Sequence, residues 1–243
     1  MSVNPKYSRL IAVLLGPVVL PQARRTRRAI PLLPDAAQPW QGDVPGENPV
    51  SILVLGDSTA AGVGATTQDE ALPGNLARAL ANEWERGAHW RAVGENGATT
   101  HDIVRRYLKD ATSEQYDVVF LTIGANDALK LRSRGAFRRN FRTILRRLRS
   151  VNPKALILVS CLPGFWQFKS LPNPLRWALD LHRQSLESVA WRFVKSEPGV
   201  IMSPPAPAYT DDFFATDRFH PSATGYREWV EYALTDARLI RSS

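Results

Sequence analysis

The sequence predicts an α/β protein whose central sheet is mainly parallel and covered by helices on both faces. From residue 50 onward, short apolar runs alternate with longer stretches of helical periodicity. The runs are apolar at successive positions rather than at every second one, which is the pattern of strands buried on both faces. The first three give way to glycine, at Gly56, Gly94 and Gly124. Strands and helices in strict alternation pair in parallel through crossovers, and ligands then bind beyond the carboxyl ends of the strands.

Each element has its own signal. Val50–Leu55 is the first buried strand, and Leu76–Trp84 follows with helical spacing. Trp90–Val93 is a short second strand before Gly94 and Gly97. Thr100–Leu108 places Ile103, Val104 and Tyr107 on one helical face. Val118–Ile123 is the third strand. The next helix carries Phe141, Ile144, Leu145 and Leu148 at i, i+3, i+4 and i+7. Ala155–Ser160 is a fourth strand, ending at Cys161-Leu162-Pro163-Gly164. Leu175–Val194 is a long helix, Val200–Met202 a weak fifth strand, and Ser222–Leu234 a last helix.

The first 48 residues differ in character. Residues 10–20 are apolar and follow Lys6 and Arg9, which resembles the start of an export signal. Pro21-Gln22-Ala23 is a poor cleavage context, and Arg24, Arg25, Arg27 and Arg28 follow at once and oppose translocation. The run is too short to span a bilayer. A helix lying on a membrane or packed on the domain is expected, with a cytoplasmic or peripheral location favoured over secretion. Residues 29–48, rich in proline, read as an extended linker. The expected division is therefore an N-terminal segment, 1–48, and a catalytic domain, 49–243.

Composition narrows the function classes. The chain has 243 residues and is 44% hydrophobic, so it can build a core and is not disordered in general. A single cysteine excludes an internal disulfide framework and a cysteine-built zinc site. The net charge is +8, and Lys130–Arg149 alone carries +9 without an acid. A protein that coats nucleic acid spreads its basic footprint more widely, so no nucleic-acid partner is expected. The simplest reading of the segment is a solvated arginine face on a core-packed helix. The other is a patch for an anionic membrane surface.

The strand ends carry the chemistry. Gly56-Asp57-Ser58, Gly94-Glu95-Asn96-Gly97, Gly124-Ala125-Asn126-Asp127 and Asp217-Arg218-Phe219-His220 should meet at one rim. Acyl transfer to serine needs such a set. The hydroxyl is a weak nucleophile until a base takes its proton, and histidine is the base suited to neutral pH. A carboxylate must hold the imidazole, and Asp217 and His220 are three apart on a turn. Developing oxyanion charge needs fixed donors. Candidates are the Ser58 amide at a helix N-terminus, the Gly97 amide and the Asn126 side chain, with Gly94 as a rival to Gly97.

The stretches 56–65 (GDSTAAGVGA), 95–100 (ENGATT), 123–127 (IGAND) and 217–226 (DRFHPSATGY) resemble the four marker blocks of the SGNH/GDSL hydrolases, in the family's order. The resemblance implies a flavodoxin-like three-layer α/β/α sandwich with about five parallel strands. It implies Ser58 as nucleophile, His220 as base, Asp217 as its partner, and Ser58, Gly97 and Asn126 as the oxyanion hole. It implies no metal and no cofactor. Gly56-Asp57-Ser58-Thr59-Ala60 lacks the second glycine of the G-x-S-x-G elbow, so the chain is not of the α/β-hydrolase type.

Other residues have plainer readings. Asp57 is expected to cap or close a turn. His89, His101 and His182 have no partner pattern and make no metal site. Cys161 is expected to be a buried apolar filler. Phe165, Trp166, Phe168 and Trp177 either pack or wall an acyl pocket. The expected activity is hydrolysis of carboxylic esters, lipid-like or small, through an acyl-enzyme. The alternatives are an acyltransferase, a deacetylase on a sugar or lipid, or a peripheral binding module that uses the arginine-rich helix. The oligomeric state leaves no signal.

Overall fold

The computed structural model describes residues 3–235. Its frame is a six-stranded sheet in the order β1-β3-β2-β4-β5-β6. Strands β2 (Val50–Gly56), β3 (Ala88–Gly94), β4 (Val118–Thr122), β5 (Leu156–Val159) and β6 (Val200–Met202) run parallel. β1 (Gln41–Val44) pairs antiparallel to β3 at one edge.

Alternation within the buried strands feeds two cores. Leu53, Leu55, Val119, Leu121, Ile157 and Val159 belong to one apolar cluster. Ile52, Val54, Phe120 and Leu158 belong to the other. Helices α3 (Leu72–Trp84) and α9 (Ala223–Ala233) cover the second cluster. The first is covered by the segment 100–111, by α7 (Arg134–Val151) and by α8 (Leu175–Val194). The result is the three-layer sandwich.

Three details depart from the expected elements. The sheet has six strands rather than five, because β1 lies in the stretch read as a linker. Its residues, Gln-Gly-Asp-Val, alternate between exposed and half-buried, so no apolar pattern announces an edge strand held by backbone pairing. That stretch also buries Ala36, and Ala37 bridges to Thr67. Second, the helix at 100–111 is broken. A π-helical turn, Ile103–Tyr107, separates α4 (Thr100–Asp102) from α5 (Leu108–Ala111). Third, the chain after Ser58 coils through turns before α3 starts, so the Ser58 amide does not open a regular helix. A short helix, α6 (Ala125–Leu129), follows β4.

Near the N-terminus, α1 (Ser8–Leu14) and α2 (Gly16–Ala29) pack on α8. Among the described residues no helix is long and apolar enough to cross a membrane.

Helix α7 shows why its arginines need not be functional to be there. Phe137, Phe141, Ile144, Leu145 and Leu148 are buried, while Arg138, Arg139, Arg142 and Arg146 are exposed. Arg134, Arg147 and Arg149 bond to neighbouring groups. Ser133 caps the helix, its hydroxyl accepting from the Ala136 amide at 3.2 Å. Ile144→Ala is expected to cost about 2–5 kcal/mol in urea unfolding, and Arg142→Ala less than about 0.5 kcal/mol. Equal losses would mean that the arginine face carries structure.

Candidate active site

The carboxyl ends of β2, β3 and β4 meet at very close range. A Cβ on Gly56 would run into Thr122, and one on Gly94 into Gly56. Gly94 is thus packed against Gly56, with no room for a side chain. Beyond these ends lies a cleft bordered by Asp57, Ser58, Asn96, Asn126 and His220. The four blocks, distant in sequence, contribute to this one rim.

Ser58 and Asp57 are nearly buried in the turn that leaves β2. The turn is closed by the Ala61 amide donating to Asp57 O at 3.0 Å and the Val63 amide to Ser58 O at 3.0 Å. The Asp57 carboxylate accepts from the Thr59 amide and hydroxyl, both at 3.3 Å, and from Asn126 Nδ2 at 3.2 Å. One amide hydrogen of Asn126 is therefore held by Asp57, and the other is available to a ligand. Burial raises the Asp57 carboxyl to about 6, against the hydrogen bonds from Thr59 and the nearby His220.

The second half of the rim is the turn before α9. His220 Nδ1 donates to Asp217 Oδ2 at 2.6 Å. Asp217 Oδ1 accepts from the Phe219 and His220 amides at 2.9 and 3.0 Å. Burial alone would raise the Asp217 carboxyl, but the bonds from His220 and from these amides outweigh it and hold it below its ordinary value. A carboxylate at Nδ1 leaves Nε2 of the neutral ring as the basic nitrogen. Asp217 stands behind His220, which borders the cleft with Ser58. The structure holds no hydrogen bond between the Ser58 hydroxyl and His220.

Gly97 has a φ of +80° and open space where a side chain would stand. It adjoins Asn96 on the rim, and its carbonyl accepts from Lys130 Nζ at 2.8 Å. The two blocks flanking the cleft are bound by a residue that the sequence reading passed over. Asp127 accepts from the Thr100 amide at 2.8 Å and the Thr100 hydroxyl at 2.7 Å. Its signal was its place beside Asn126, just past a buried strand. A second tie is Tyr226, fully buried, whose hydroxyl donates to Val63 O at 2.8 Å and so joins α9 to the Ser58 turn.

One wall of the cleft is apolar and aromatic, formed by Leu162, Phe165, Phe168, Tyr209, Phe214 and Phe219. Of the aromatic residues after β5, Phe165 and Phe168 line it, whereas Trp166 is exposed and Trp177 lies elsewhere on α8. Cys161 also borders the cleft, half-buried, and its thiol donates to Glu187 Oε1 at 2.9 Å. Burial and that carboxylate push it up to about 12, which keeps it a neutral thiol. His182 has partners after all, Ser8 and the Arg132 carbonyl, away from the cleft. Among the described residues no group of histidine, cysteine and acid side chains could hold a metal ion.

Fold and cleft together define a class: a three-layer α/β/α protein with a serine at the end of its first parallel strand and an Asp–His pair before its last helix. The chain belongs to the GDSL-like lipase/acylhydrolase family, whose profile matches residues 54–228. Where the family's name carries leucine this chain has Thr59, whose hydroxyl also shares a hydrogen bond with the Thr122 hydroxyl at 3.0 Å. The chain is 29% identical over 197 residues to the GDSL-like esterase Rv1075c of Mycobacterium tuberculosis, covering 78% of this chain. It spans 61% of that relative's length. Its fold is similar to that of a lipase from a goat rumen metagenome (17% identity, TM-score 0.59, 78% of this chain and 97% of the other). It is also similar to an acetylxylan esterase from Geobacillus stearothermophilus (18%, TM-score 0.57, 78% and 94%).

Asp57 ties stability to pH. The folded chain titrates it at about 6, against 3.8 for an ordinary aspartate. Between these values the native state binds the proton more tightly, so its stabilising contribution is full below 3.8 and is lost as pH rises through 6. Asp57→Asn is expected to shrink the difference in unfolding free energy between pH 4 and pH 7 by on the order of 2–3 kcal/mol. Denaturant titrations at the two pH values measure it. An unchanged difference would mean that Asp57 stays ionised throughout.

Proposed function

We propose that the protein hydrolyses carboxylic esters through an acyl-enzyme on Ser58, with His220 as general base and Asp217 as the group that orients it. The observation that carries this reading is the Asp217–His220 pair set on the same cleft rim as the buried Ser58, beneath an apolar wall.

The steps follow from the groups present. His220 Nε2 takes the Ser58 proton as Oγ attacks the ester carbonyl carbon. Negative charge develops on the carbonyl oxygen, which accepts from the Ser58 and Gly97 amides and the free hydrogen of Asn126 Nδ2. The carbon–oxygen bond to the leaving alcohol breaks, and His220 returns the proton to that oxygen. Water then gives a proton to His220 and attacks the acyl carbon, and Ser58 regains its proton as the acid departs. Asp217 stays ionised throughout and stabilises the imidazolium.

The aromatic wall supports an acyl group with apolar substance, as lipid-like or simple carboxylic esters have. The esterase and lipase names of the similar proteins agree with this. An ester series from p-nitrophenyl acetate to palmitate tests it. Wild type is expected to turn over some member, with a chain-length optimum set by the wall. Ser58→Ala should lose at least ~1000-fold in kcat. Asn126→Ala should lose on the order of 100- to 1000-fold in kcat with KM little changed. Activity that survives Ser58→Ala would contradict the proposal. Product diverted to an added alcohol would favour transfer over hydrolysis.

A further inference from the structure

Helices α1 and α2 present an unusual arrangement of side chains. Their inward face is made of Ser8, Ala12, Leu15, Val19 and Ala23, a helical spacing, with Ser8, Ala12 and Val19 buried and Leu15 and Ala23 packed against the core. Their outward face carries the larger residues Leu10, Val13, Leu14, Val18 and Leu20, with Tyr7 exposed just before α1. Leu14 is 71% exposed and Val13 72%. Among the described residues, every exposed large apolar side chain except three tryptophans falls between residues 3 and 32. A surface helix ordinarily shows the opposite polarity.

The segment is held in this orientation. Arg132 O accepts from His182 Nε2 at 3.0 Å, which leaves Nδ1 to accept from the Ser8 hydroxyl at 2.9 Å. Gln22 donates to Asn173 O at 2.8 Å and accepts from the Leu175 amide at 3.1 Å, at the N-terminus of α8. The outward apolar face is thus a fixed feature of the folded chain.

We propose that this face docks on an anionic lipid surface. Charge argues for that occupant. Residues 1–34 contain Lys6, Arg9, Arg24, Arg25, Arg27 and Arg28 and no acid. These six cations border the apolar face and match anionic headgroups. A second copy of the chain, docked through the same face by a two-fold axis, would bring arginine against arginine. The arginine face of α7 lacks exposed large apolar residues and cannot insert. The position also fits use. The C-terminal half of α2 shares a groove with the turn that carries Asp217, where Arg25, Lys169 and Arg218 add positive charge. Docking would hold that side of the molecule at the headgroups.

Flotation with vesicles tests this without any turnover, so its outcome is separate from the esterase reading. Wild type is expected to float with vesicles of equal parts phosphatidylcholine and phosphatidylglycerol, less with phosphatidylcholine alone, and to be released by salt. Leu10→Ser/Leu14→Ser/Val18→Ser should weaken partition by on the order of tenfold or more, with an unchanged melting temperature. Arg24→Gln/Arg25→Gln/Arg27→Gln/Arg28→Gln gives the same expected loss should the first variant fold poorly. Arg142→Ala/Arg146→Ala on α7 should bind like wild type. Failure of wild type to float, floating unaffected by the two N-terminal variants, or loss confined to the α7 variant would overturn the proposal. So would a dimer in solution that the triple variant splits.

Discussion

No side chain fits between the carboxyl ends of β2 and β4. Gly56 lies against Thr122, and Gly94 lies against Gly56. This contact brings three loops to one rim, each within hydrogen-bond reach of the next. A methyl group at Gly56 would force β2 and β4 apart and carry Ser58 away from Asn126. The packing on both faces of the sheet holds the strands in this register, because Leu53, Leu55, Ile52 and Val54 leave no room to slide.

On that frame, buried acids do the arranging. Asp57 holds one hydrogen of Asn126, Asp127 holds the backbone and side chain of Thr100, and Asp217 holds His220 with two amides in support. Buried carboxylates are costly unless fully bonded, and each of these accepts several hydrogen bonds. Their environments differ, however. Burial dominates at Asp57 and raises it, whereas donated hydrogen bonds dominate at Asp217 and keep it ionised. The acid bonded to the histidine is the one held below its ordinary value.

Much of this was legible in the sequence. Continuous apolar runs ending in glycine announce parallel strands, whose ends border one cleft. Asp217 and His220, three apart before a helix, announce a pair. Three things were not legible, for definite reasons. β1 has no apolar alternation, because an edge strand is held by backbone bonds. Asp127 acts through Thr100, a partner 27 residues earlier that only the fold brings near. The orientation of α1 and α2 was hidden because the run is apolar on nearly every side. Only packing reveals that the small residues face inward.

Every role assigned to the rim depends on Ser58 being the nucleophile. The most direct measurement is peptide mapping by mass spectrometry after exposure to an alkyl fluorophosphonate, which adds covalently to an activated serine. The expected result is one adduct, on the peptide containing Ser58, formed by wild type and greatly slowed in His220→Ala. An adduct on another serine, or modification of Ser58 at the same rate without His220, would contradict the account.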